Sequence, residues 1–151
     1  MTFSLRHAAL GLALALASGL AAAQAASPAG LWKTVDDNTK REKSLVRIVE
    51  SGGVYTGRVE KVIDPDSPKD AVCKDCTDDR KDKPVVGMTI IRNMKASGDK
   101  DVFEGGDILD PNNGKVYSAK LTLVDGGKKL DVRGYIGMPM LGRTQTWQRV
   151  E

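Results

Sequence analysis

Apolar and polar residues alternate along much of this chain, most cleanly in its second half. In "KVYSAKLTLV", Tyr117, Ala119, Leu121 and Leu123 share one side, and Ser118, Lys120 and Thr122 take the other. In "KLDVRGYI", Leu130, Val132, Gly134 and Ile136 oppose Asp131, Arg133 and Tyr135. A period of two sends successive side chains to opposite faces of a sheet, so these runs read as strands with one buried and one wet face. Eight candidate strands emerge: Leu31–Val35, Leu45–Glu50, Val54–Ile63, Val85–Met94, Asp101–Leu109, Lys115–Val124, Lys129–Ile136 and Arg143–Val150. Val85–Met94, "VVGMTIIRNM", is the least regular of them. No segment carries the stripe of a long amphipathic helix.

Between these runs lie Gly52-Gly53, Ser97-Gly98-Asp99, Asn112-Asn113-Gly114 and Gly126-Gly127, residues that tolerate the positive φ of tight hairpins. Short links favour an up-and-down order over a Greek key, which needs a long crossover. An eight-run meander can close into a barrel or split into two packed sheets; closure abolishes edges and is the expected solution. The predicted fold class is therefore all-β, an antiparallel up-and-down eight-stranded barrel. The single long connection is Asp64–Pro84.

Composition changes this picture mainly at the N-terminus. Residues 1–25 combine Arg6 and His7 with an Ala/Leu run and end in Ala23-Gln24-Ala25, the pattern of a cleaved secretory signal peptide. Residues 26–151 are then expected to form one β-barrel domain, located in the periplasm. That chain would carry 22 basic and 20 acidic residues, interspersed along its length. Nothing in this balance points to nucleic acid or to stable membrane insertion after cleavage. The sole histidine, His7, lies in the leader, which leaves the remainder without imidazole for triad catalysis or zinc ligation.

Several segments in order, "GLWKT", "LVRI", "CKDCTDDRKDKPVVGMTI", "GGDILDPNNGKVY" and "LDVRGYIGMPMLGRTQTWQR", resemble a family of small secreted bacterial proteins, domain of unknown function (DUF) family twenty-one forty-seven. The resemblance implies a lipocalin-like barrel and no particular activity. Family members often place a Trp before the Gly-Gly of "FEGGDI", where this chain has Phe103 and Glu104; the departure bears on any aromatic contact there. Gly30-Leu31-Trp32 is similar to the G-x-W that opens the first strand of lipocalins and other calycins. That likeness implies that Trp32 plugs the barrel floor beneath a late-strand arginine, Arg149 or Arg143, with guanidinium stacked on the indole.

Cys73 and Cys76 form a C-x-x-C pair within "AVCKDCTDDRKDKP". In an exported protein the default is an intramolecular disulfide clamping a solvated loop. The redox alternative needs a following helix to stabilise a thiolate, and the polar run after Cys76 lacks one. Zinc would have to complete its shell from Asp70, Asp75, Asp78 or Asp79. Met138 and Met140 with reduced Cys73 and Cys76 would suit Cu(I), and Asp64–Asp70 clusters hard oxygens for Ca²⁺; turn and packing roles explain both segments more simply. No catalytic residue, cofactor or metal site is assigned.

The function expected on these grounds is binding of a small apolar or amphipathic ligand in the barrel mouth, lined by Tyr117, Leu121, Val132, Ile136 and Trp147. The alternative is a structural or protein-interaction module of the envelope using the Asp64–Pro84 loop, its partner unspecified. A histidine-independent enzyme would require two converging carboxylates, which the linear sequence does not bring together.

Overall fold

Gly52 and Gly53 adopt φ of 59° and 81°, the two positive values a type I′ hairpin requires, and they join β2 (Glu42–Ser51) to β3 (Val54–Val62). In this computed structural model, which describes residues 26–151, six further strands continue the meander. They are β1 (Gly30–Val35), β4 (Thr89–Ala96), β5 (Val102–Asp110), β6 (Lys115–Val124), β7 (Lys129–Tyr135) and β8 (Arg143–Arg149). The strands pair antiparallel in sequence order, and β8 returns to β1 through Trp32–Arg149 and Lys33–Gln148, closing a barrel. The leader assignment lies outside the described residues.

Alternation fills the interior as the pattern predicts. Ala119, Leu121 and Leu123 of β6 are buried opposite Leu130 and Val132 of β7, and Trp32, Val46, Ile48 and Val59 join the same core. Each buried Val, Leu or Ile among them stabilises the fold by about 1.5–3 kcal/mol relative to exposure. Strand bounds depart from the sequence expectation by one or two residues at several ends, and further at the starts of β2 and β4. β2 begins three residues early, at Glu42, because Glu42 pairs with Val35 and its carboxylate meets Lys33 at 2.8 Å.

Val85–Met88 is not strand, and β4 starts at Thr89. Pro84 has no N–H, the Val85 amide is spent on Ala71 (2.9 Å), and Gly87 turns at φ 90°. Further along β4, Asn93 at φ 60° forms a bulge, so Ile91 and Met94 are both fully buried although three apart.

The long connection also differs from expectation. Most of its charged residues are exposed, yet Cys73, Cys76 and Arg80 are buried. The two cysteines are disulfide-bonded, Cα atoms 5.5 Å apart, within the same core cluster as Met88, Ile90 and Leu109. Ala71–Val85 folds as an irregular hairpin through the Val72–Pro84 bridge and the Cys73–Lys83 backbone bond (2.9 Å). Arg80 ties it to β4 by donating to the Thr89 carbonyl at 2.9 Å and to Asp78. The clamp is thus a packed apolar strut. A disulfide carries no charge and is better buried than solvated, and the loop folds back to bury it.

Candidate ligand-binding cavity

The two ends of the barrel are built differently. One end carries the short β2–β3, β4–β5 and β6–β7 links together with residues 27–30. There Trp32 is fully buried, and its Nε1 donates to the Pro28 carbonyl at 2.7 Å. The Arg149 guanidinium lies 4.3 Å from the indole centroid and donates to the carbonyls of Gly127, Ala29 and Ser27 at 2.7, 2.9 and 2.7 Å. Gly30 sits at φ 143°, and a Cβ there would run into the Glu151 backbone carbonyl and stand 2.6 Å from Arg149 Nη1. The glycine of "GLW" is therefore dictated by its positive φ and by the C-terminal backbone and arginine that cross it. Arg143 is not in this floor; it is at the opposite end.

At that opposite end the longer β1–β2, β3–β4 and β7–β8 connections and the β5–β6 turn surround a cavity of about 500 Å³. Its wall carries the apolar Val46, Val59, Ile90, Ile108, Val132 and the Trp147 indole, with Thr34, Ser44 and Gln145 among them. Trp147 Nε1 donates to Gln145 Oε1 at 3.0 Å, which satisfies the ring's polar edge inside the barrel. Among the described residues no buried side-chain nitrogen or oxygen lacks a hydrogen-bond partner.

The mouth is polar, and its two cations, Lys43 and Arg143, are already paired. Lys43 meets the buried carboxylate of Asp64, which Arg41 also holds at 2.5 Å. The Lys43 hydrogen bond keeps Asp64 far below the usual carboxylate range. Arg143 holds Asp37 in a two-pronged pair, Nη2–Oδ1 2.5 Å and Nε–Oδ2 3.1 Å, which lowers the Asp37 pKa and raises that of the arginine. Asp36 accepts the Thr39 amide at 2.7 Å and its hydroxyl at 3.0 Å; the amide bond is the main reason its pKa is lowered.

Of the residues expected to line a ligand, Tyr117, Val132, Ile136 and Trp147 face this cavity. Leu121 does not. It lies in register between Phe103 and Val132, and its surface is wholly taken up by protein. Thr34, Lys43, Val46, Val59, Ile108, Gly134 and Gln145 line the cavity without having been anticipated. The alternation of Val46 and Ile48 could have pointed to β2, but no local signal joins Asp37 to Arg143 across 106 positions.

Ser67, Pro68, Ala71 and Val85 belong to the wall as well, so the disulfide loop buttresses the mouth. Phe103 makes an edge contact with Tyr55, centroids 5.0 Å apart, so an aromatic pair is present where the sequence departs from the family's Trp.

The alternative readings of the other motifs are placed as follows. Among the described residues no three His, Cys, Asp or Glu side chains stand close enough to hold a metal ion. Asp64 is occupied by cations of the protein, and Met138 and Met140 are exposed on the β7–β8 connection. No helix among the described residues is long and apolar enough to cross a membrane.

A closed eight-stranded up-and-down barrel, plugged by Trp and Arg at one end and hollow at the other, defines a lipocalin-like protein. Among solved structures, the protein HP1028 from Helicobacter pylori, described as belonging to the lipocalin family, shares this fold with a TM-score of 0.69. It is 21% identical, and the likeness covers 82% of each chain. Residues 30–149 match the family described as "Uncharacterized protein conserved in bacteria (DUF2147)", and the chain belongs to that family. A search of the curated proteins found no match.

Proposed function

We propose that this protein is an exported, periplasmic binder of a small apolar or amphipathic molecule, held with its apolar part in the barrel and its polar part at the mouth. The observation that carries this reading is the hollow of about 500 Å³ with a cluster of apolar side chains and Trp147 in its wall and a polar rim. That volume falls within the range of small-molecule sites, roughly 300–1,000 Å³. The leader supports export, and the lipocalin-like fold is compatible with such a role. Specificity arises from shape, from the polar side chains in the wall such as Gln145, and from the rim.

The test is native mass spectrometry of the protein purified from its own envelope, followed by titration with dodecanol while Trp147 emission is read in a Trp32→Phe background. A retained adduct, or a saturable shift of the Trp147 signal, is expected. A clean unliganded mass together with a flat titration would refute the proposal.

A further inference from the structure

Ile136, Met138, Met140 and Leu141 stand on the β7–β8 connection with 67%, 54%, 73% and 73% of their surface exposed. Four large apolar side chains within six residues are a costly display in water. The loop is nevertheless ordered by its own bonds: Leu141 N–H to Met138 O at 3.0 Å, Gly142 N–H to Pro139 O at 3.3 Å, and Arg133 Nε to Pro139 O at 2.5 Å. Ile136 and Leu141 also line the cavity, so on this side the exposed apolar lip adjoins the barrel interior.

We infer that this lip is a docking surface for a lipid bilayer, across which an amphiphile passes between membrane and barrel without crossing water. The inference rests on the binding role proposed above. Two observations favour a bilayer over a second copy of the chain. The four side chains present roughly 500 Å², short of the roughly 800 Å² per partner that a stable dimer buries. Arg133, at the base of the lip, donates to Pro139 O and to Thr144 Oγ1 at 2.7 Å and, among the described residues, forms no ion pair with a carboxylate. Its charge is available to a phosphate headgroup just where the apolar side chains would enter the acyl boundary.

The experiment is flotation of the protein with vesicles of phosphatidylethanolamine and phosphatidylglycerol (3:1), and with phosphatidylcholine vesicles. It is run beside the Met138→Ser/Met140→Ser variant, whose altered side chains do not line the cavity. Dodecanol affinity is measured without vesicles for both proteins. The wild type is expected to float with the anionic vesicles, less with the zwitterionic ones. The variant should lose at least tenfold in bound fraction while its dodecanol affinity and far-UV circular dichroism stay unchanged.

Equal flotation of the two proteins, or none by the wild type, overturns the docking role and leaves the binding role standing. A wild type that self-associates without floating, and a monomeric variant, would overturn it in favour of a second copy. Flotation that depends on the lip in a protein with no dodecanol affinity supports docking and rejects the binding role.

Discussion

The guanidinium of Arg149 lies 4.3 Å above the Trp32 ring, and all three of its nitrogens donate to carbonyls of segments that close the barrel floor. A planar fork makes this possible; a lysine ammonium cannot reach three divergent carbonyls while stacking on an indole. Arg149→Lys should cost about 1–2 kcal/mol and Arg149→Ala about 3 kcal/mol or more, since charge-assisted bonds and a cation–π contact are lost and only partly offset by the relieved desolvation of the guanidinium. Urea unfolding followed by circular dichroism would measure both. Equal stability of the Arg149→Lys variant and the wild type would show that the fork is not what holds the floor.

Two glycines of the barrel should respond in opposite ways to added bulk. At Gly134 a Cβ meets Tyr117 Cβ at 3.4 Å and Ile108 Cγ2 at 3.6 Å, ordinary contact at the cavity wall. Gly134→Leu should project into the hollow and abolish dodecanol binding while the barrel still folds. At Gly106 a Cβ would run into the Arg92 carbonyl and stand 2.6 Å from Met94 Sδ. Gly106→Ala should therefore destabilise by about 1–3 kcal/mol.

Rim charge should govern the choice of ligand head. With Lys43 held by Asp64 and Arg143 by Asp37, neither of these rim cations is free to neutralise a carboxylate, so dodecanol should bind more tightly than dodecanoate. Asp37→Asn releases Arg143 and should narrow or reverse that preference. An unchanged ratio of dissociation constants would mean that the head does not reach Arg143.

The disulfide should resist reduction in the native state, because both cysteines are buried. Thiol labelling after dithiothreitol is expected only when urea is present. The four-residue ring itself contributes about 2 kcal/mol in the chain-entropy model. Cys73→Ala/Cys76→Ala should cost more than that, since core packing is lost with it, yet strand content should persist because the barrel closes without the loop.

Acid should weaken the fold through its depressed carboxylates, Asp64 and Asp78 above all. Asp78 is lowered from 3.8 to about 2, chiefly by its hydrogen bond from Arg80, and Asp64 is lowered further by Lys43. A pKa depressed in the folded state means the unfolded chain binds more protons, so this stability is complete above about pH 4 and lost as pH falls toward 2 and below. Asp64→Asn should be less stable than wild type at pH 7, and the gap should narrow as pH falls from about 4 toward 2. Parallel unfolding midpoints across that range would exclude Asp64 as the source.

Strand number, order and hairpin positions follow from alternation and from turn glycines, because both are set by residues adjacent in sequence. The floor was expected only from the likeness of Gly30-Leu31-Trp32 to the opening of calycin barrels, which left Arg149 and Arg143 both open. Pairing of β8 with β1 is what sets Arg149 over Trp32. What local pattern could not determine was depth: Leu121 and Val132 are cross-strand neighbours on one face, yet only Val132 meets the cavity.

Nor could it show that a polar, charge-rich loop buries its cystine and an arginine, or that Asp37 finds Arg143. The chain by itself determined the barrel, because period and turns are short-range properties. Only the tertiary structure decided where the barrel is hollow, because a cavity is what packing leaves among side chains that meet from every strand.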